Sequence, residues 1–223
     1  MKENFELRVY TFLDALQPQI AQYIAKDNRV YDPAEYDAAM FLELAPAMEI
    51  HTMIDQVLKR TKVRLGSVVT ERHFGMMQVH HADQGEVLEA ANEVFSSTGL
   101  TVADRAEVKV LTNNIIRGVE QDHAIFFTGL AKGNMVLAGE SVLIMECTPA
   151  AYLATACNEA LKAAEVKLIT LTPFGATGRL IMSGPESEID SASEAANAML
   201  DKLNEERKAA GGTTARDEKK YAK

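Results

Sequence analysis

The chain has 223 residues, enough for one large domain or two of about a hundred residues with cores of ordinary size. Its net charge of −9 arises from acids and bases interspersed along the sequence, and without a concentrated basic face it is no candidate for nucleic-acid binding. No apolar run reaches the roughly 18 residues of a spanning helix, and "MKENFELRVYTF" at the start carries no signal-peptide core, so no lipid membrane is expected as a partner.

Residues 5–40 read as strands and loops, ending in the polar, Tyr- and Asp-rich "KDNRVYDPAEYDA". A strand closing near Glu43 follows, and Pro46 fits the first turn of the next helix, where a missing N–H costs little. That helix, of about four turns, has one buried face, with Ile50, Met53, Ile54, Val57 and Leu58 at the i, i+3, i+4, i+7, i+8 spacing. The β-branched "VRLGSVV" is a second strand. A glycine-containing turn leads to a third strand, "MMQVHH", and then to a helix carrying Val87, Leu88, Ala91, Val94 and Phe95.

From "TVADR" at 101–105 the chain begins to repeat itself, and internal similarity of this kind governs the whole architecture. A shift of 103 residues places "LELAPAMEIHTMIDQVLKRTKVRL" on "MECTPAAYLATACNEALKAAEVKL" without a gap, with Glu43 on Glu146, Pro46 on Pro149, Thr52 on Thr155, Lys59 on Lys162 and Gly75 on Gly178. Leu153, Ala156, Cys157, Ala160 and Leu161 take the five helical positions of the first copy. Cys147 and Cys157 have no metal-ligand spacing and sit in apolar surroundings, as reduced core residues do. "VKLITLT", "RLIMSG" and a helix with Ile189, Ala192, Ala196, Met199 and Leu203 complete the second copy. The charged, glycine-interrupted end is expected to be disordered from 208 onward.

The two copies differ in the turn after the second strand. "VVTERHFGMM" holds Glu71 and Arg72 where "LTPFGATGRL" holds Phe174 and Gly175. "GATGRL" lacks the Lys-Ser/Thr ending of a phosphate loop and precedes a strand. His80 and His81 adjoin Asp83, but neighbouring residues on a strand face opposite ways, and neither an HxH nor an HExxH spacing occurs. No enzyme activity, cofactor or metal is expected. A tandem α/β sensor for a small molecule is the alternative reading, distinguished by one saturable site on a monomer or dimer.

The residues "TPAAYLATACNEALKAAEVKLI" resemble the bacterial microcompartment shell domain, in which a helix ending Leu-Lys-Ala-Ala is followed by a strand and a small-residue turn. With "ELRVYTFLDALQPQIAQYIA", "VVTERHFGMMQVHHADQGEVL" and "ESVLIMECTPAAY", the chain is similar over about 5–205 to the tandem-domain, circularly permuted, trimeric shell proteins of carboxysomes and their relatives. The resemblance implies an α/β (α+β) fold of two permuted shell domains, 1–103 and 104–207, each a mainly antiparallel sheet flanked by helices, with 208–223 as a tail. It implies a pseudohexameric homotrimer in the shell of a cytoplasmic microcompartment, trimers that stack face to face, and hexameric and pentameric shell proteins as neighbours. Glu71 and Arg72 would form the gate of a central pore for small metabolites, Phe174 and Gly175 its alternating lip, and Lys59 and Lys162 the tile edge. The chain departs from carboxysome relatives at "FFTGLAKGN", where Thr128 and Gly129 replace an Asn-Arg pair.

Overall fold

A computed structural model describes residues 5–26 and 30–212. The first half runs β1 (Glu6–Leu13), α1 (Pro18–Ala25), β2 (Ala38–Ala45), α2 (Glu49–Arg60), β3 (Arg64–Glu71), β4 (Phe74–His81) and α3 (Gln84–Thr98). The second repeats it as β5 (Lys109–Ile116), α4 (Gln121–Leu130), β6 (Ser141–Thr148), α5 (Tyr152–Ala163), β7 (Lys167–Thr172), β8 (Gly178–Gly184) and α6 (Glu186–Ala209). Each half forms a four-stranded antiparallel sheet, ordered β1-β2-β4-β3 and β5-β6-β8-β7. Register repeats with topology, since Glu43 pairs with Met76 and Glu146 with Arg179, both under the same shift. The expected α+β architecture of two sheets flanked by helices is the one found.

Local chemistry explains the elements and corrects four expectations. α1 and α4 lie where strands and loops were read; "PQIAQYIA" starts with proline at a helix N-terminus and buries Ile20, Ala21, Tyr23 and Ile24 on one face. α2 and α5 begin at Glu49 and Tyr152, three residues after their prolines, so Pro46 and Pro149 shape the preceding turn instead of the first helical turn. Both prolines follow cis bonds, and the Pro46 carbonyl accepts from Glu49 N at 3.1 Å. Ile50, Met53, Ile54 and Val57 are buried, but Leu58 falls on the shoulder beside Lys59 and is exposed. α6 continues to Ala209, past the expected start of a tail, because Arg207 is buried and donates from Nε to the Arg105 carbonyl at 2.6 Å. Residues 213–223 of that tail and Asp27–Arg29 of the polar loop lie outside the described residues.

One core crosses from half to half, with Val9, Leu13, Ile20 and Phe41 of the first packed with Leu153, Cys157, Leu171 and Leu180 of the second. Both cysteines are free and buried, and burial pushes the Cys147 thiol up to about 12 and Cys157 higher still, as in inert core thiols. α5 is therefore covered on two sides. Tyr152 through Asn158 are all buried, whereas His51, Thr52 and Asp55 on α2 are exposed. Polar pairs fix the junction: Thr11 and Thr155 hydroxyls meet at 2.6 Å, Gln17 N donates to Asn158 Oδ1 at 2.9 Å, and Gln19 Nε2 donates to the Val166 carbonyl at 2.7 Å.

Candidate functional site

The turn between β3 and β4 and the turn between β7 and β8 open onto one cavity of about 510 Å³ at this junction. Glu71, Arg72, Phe174 and Gly175 line it, together with Arg8, Glu43, Phe74 and Thr148. The structure thus brings together all four residues singled out in the two turns. Arg72 has φ 53° and Gly175 φ 98°, so equivalent positions are both left-handed. For an arginine that conformation costs about 1–2 kcal/mol, whereas glycine adopts it freely. A Cβ at Gly175 would also stand 3.1 Å from Glu71 Oε2, so a larger residue there would need the Glu71 carboxylate to shift slightly. Gly75 and Gly178 let β4 and β8 press on the turns before α2 and α5, where any Cβ would run into the carbonyls of Ala47 and Ala150.

Beneath the lip lies an ion pair that no motif or spacing in the sequence singles out. Arg8 donates from Nη1 to the Gly175 carbonyl at 3.1 Å and from Nη2 to the Ala176 carbonyl at 3.0 Å, and its guanidinium carbon stands 4.6 Å from the Phe74 ring centre. Nη1 also lies 3.4 Å from Glu43 Oε1. Glu43 is 2% exposed and its Oε2 has no protein partner. Burial pushes its carboxyl up to about 7; the Arg8 charge opposes that rise and the Glu71 charge adds to it. A second cavity of about 690 Å³ lies on the other side of Phe174, which lines both, as do Val69 and Met76.

Lys59 and Lys162 line neither of these two cavities. Lys59 is exposed and bridges to Asp55 at 2.6 Å. Lys162 is less exposed and reaches Asp14 at 2.5 Å and Glu159 at 2.8 Å. Partial burial alone would lower its pKa; those two hydrogen bonds outweigh it and leave the ammonium raised. His80 is buried and His81 partly exposed, as opposite faces of a strand require. Among the described residues no three His, Cys, Asp or Glu side chains cluster as a metal site would need.

The arrangement has known counterparts. The family model for the CsoS1D N-terminal domain matches residues 7–104, and that for the BMC domain matches 141–209. The chain is 44% identical to the carboxysome shell protein CsoS1D of Hydrogenovibrio crunogenus, over 89% of this chain and 97% of that one. Among solved structures, the fused permuted hexameric shell protein MSM0275 from the RMM microcompartment superimposes with TM-score 0.86 at 36% identity, covering 89% of this chain and 98% of that one. The double ringed trimeric shell protein MSM0271 from the same microcompartment gives TM-score 0.85 at 32% identity, covering 89% and 97%. Two tandem sheets in permuted order, matched along nearly their whole length, place the chain in the bacterial microcompartment shell-protein family, as a tandem-domain structural component of the shell.

Proposed function

We propose that three chains close into a pseudohexameric tile whose centre is a gated pore for small metabolites. The observation that carries this reading is an interface made once and left open once. β1 and α1 cover α5 and β7 within the chain, while the equivalent surfaces of β5 and α4, and of α2 and β3, lack that cover. Tyr23 on α1 is 8% exposed and donates or accepts at Thr170 Oγ1, 3.0 Å away; its equivalent on α4, Phe126, is 60% exposed. Repeating the same contact from the second half of one chain to the first half of the next is a head-to-tail association, which ends in a ring when its rotation closes. The trimeric MSM0271 is a relative consistent with closure at three.

In such a ring the units are 1–103 and 104–207, and Glu71 and Arg72 alternate with Phe174 and Gly175 around the axis. Three acids and three bases can pair, where an identical charge in all six units would repel. Opposite charges about 4 Å apart interact by roughly 1 to 4 kcal/mol according to solvation, small enough for a rotamer change or a bound metabolite to reverse. Lys59 and Lys162 sit at the tile edge toward hexameric and pentameric neighbours, and pairs of tiles stack, as the words "double ringed" describe for MSM0271. The role is structural and conductive, with no catalytic step, no cofactor and no metal. The Glu71→Ala, Arg72→Ala double variant is expected to keep the native particle mass and to lose the closed state of the pore in images of the assembled particle. A double variant that falls apart, or one whose pore still closes, contradicts the gate.

A further inference from the structure

β1 and β5 each carry an irregularity at the same place, where pairing steps from Leu7 to Val9 and from Val110 to Thr112. The extra residues are Arg8 and Leu111, which the repeat makes equivalent. A bulge re-aims the side chain it carries. Arg8, 9% exposed, is aimed across the junction at the β7–β8 turn, where its planar fork donates to the carbonyls of Gly175 and Ala176 at 3.1 and 3.0 Å. Phe74 and Glu43 hold the guanidinium from behind, and Thr148 Oγ1 donates to the Ala176 carbonyl at 3.3 Å. That lip turn is tied from both sides.

Of this tie only the glutamate is kept at the equivalent place. Leu111, 52% exposed, stands for Arg8; Ala45 stands for Thr148; Thr177 stands for Phe74. Neither Leu111 nor Ala45 has a side-chain donor. Glu146, the equivalent of Glu43, instead accepts from the Thr177 hydroxyl at 2.6 Å. In the ring proposed above, on which this step rests, Leu111 of one chain faces the Arg72–His73 turn of the next.

We propose that Arg8 is a positioning residue that latches the Phe174–Gly175 turn as the fixed frame of the pore, and that its replacement by Leu111 at the seam between chains leaves the Glu71–Arg72 turn free to swing. Gate movement is then a property of one seam in two. The pore opens by displacement of three alternate turns while the other three stay fixed.

Hydrogen exchange followed by mass spectrometry on the assembled full chain tests this, with light scattering on the same samples. Amides at 72–73, the two turn residues beyond the Glu71–Phe74 pair, are expected to exchange faster than their equivalents 175–176 by roughly tenfold or more, the effect of losing a charge-assisted hydrogen bond. Leu111→Arg, at a position exposed in the single chain, should slow exchange at 72–73 and leave 175–176 unaltered. Arg8→Leu should speed 175–176 and leave 72–73 unaltered. Equal exchange of the two turns in a particle of three or six chains, or no response to either variant, overturns the latch while the ring stands. A mass of one chain overturns the ring, and with it the assignment to Leu111.

Discussion

Glu43 is a carboxylate in an unfavourable place. It is buried under the lip with one oxygen toward Arg8 and the other without a protein partner, and its pKa of about 7 compares with 4.5 for an ordinary glutamate. Because the folded value is the raised one, the folded state holds the proton more tightly than the unfolded state. The corresponding stability is fully present below about 4.5 and is lost as pH rises through about 7. Glu43→Gln keeps an acceptor for Arg8 and has no proton to lose. The native protein is therefore expected to lose stability relative to Glu43→Gln between pH 5 and pH 8, by on the order of 2 kcal/mol, in paired denaturation curves. Curves that stay parallel across that range would show that Glu43 is ionised throughout. None of this was legible in the residues around Glu43, because Arg8 reaches it from another strand and has no arginine counterpart in the second copy. Arg72 was visible as a charge beside Glu71; its left-handed backbone was not, since only the comparison with Gly175 in the same turn reveals what the position demands.

Periodicity identified α2 and α5 as helices with a buried face, and the ungapped match between copies carried the strands on either side of them. It could not say that α5 has two covered faces. The signal was present in the composition: Ala154 stands where α2 has His51, and Ala151 where the first copy has Met48, small residues that let another element approach. The helices α1 and α4 were less legible, because each is short; α1 packs on α5 and β7 of the other half, whereas α4 packs on Val142 and Ile169 of its own. That difference leads to a prediction at this scale. Phe126 lies on the uncovered face of α4, so Phe126→Asp removes only its ring contacts with His123 and Phe127 on the same helix but places a charge where the proposed ring needs an apolar contact. The variant is expected to keep the helix content of the native protein and to lose its association, measured by circular dichroism and light scattering. Normal assembly of Phe126→Asp would mean that the chains meet elsewhere.

At the scale of the whole molecule, the chain is two copies of one unit joined so that one junction is complete and its equivalent is not. A core runs across the internal junction, and the uncovered faces at either end share the backbone pattern of its two sides while differing from them in side chains such as His51 for Ala154 and Leu111 for Arg8. The proposed pore, the alternation of its lip and the latch on half of its turns would all depend on the second junction forming between chains. The most direct measurement is the mass of the purified protein in solution by light scattering. The account predicts three times 24.4 kDa, or six times where rings stack. A stable single chain, with a saturable small-molecule site and no self-association, would contradict the ring and favour a monomeric sensor.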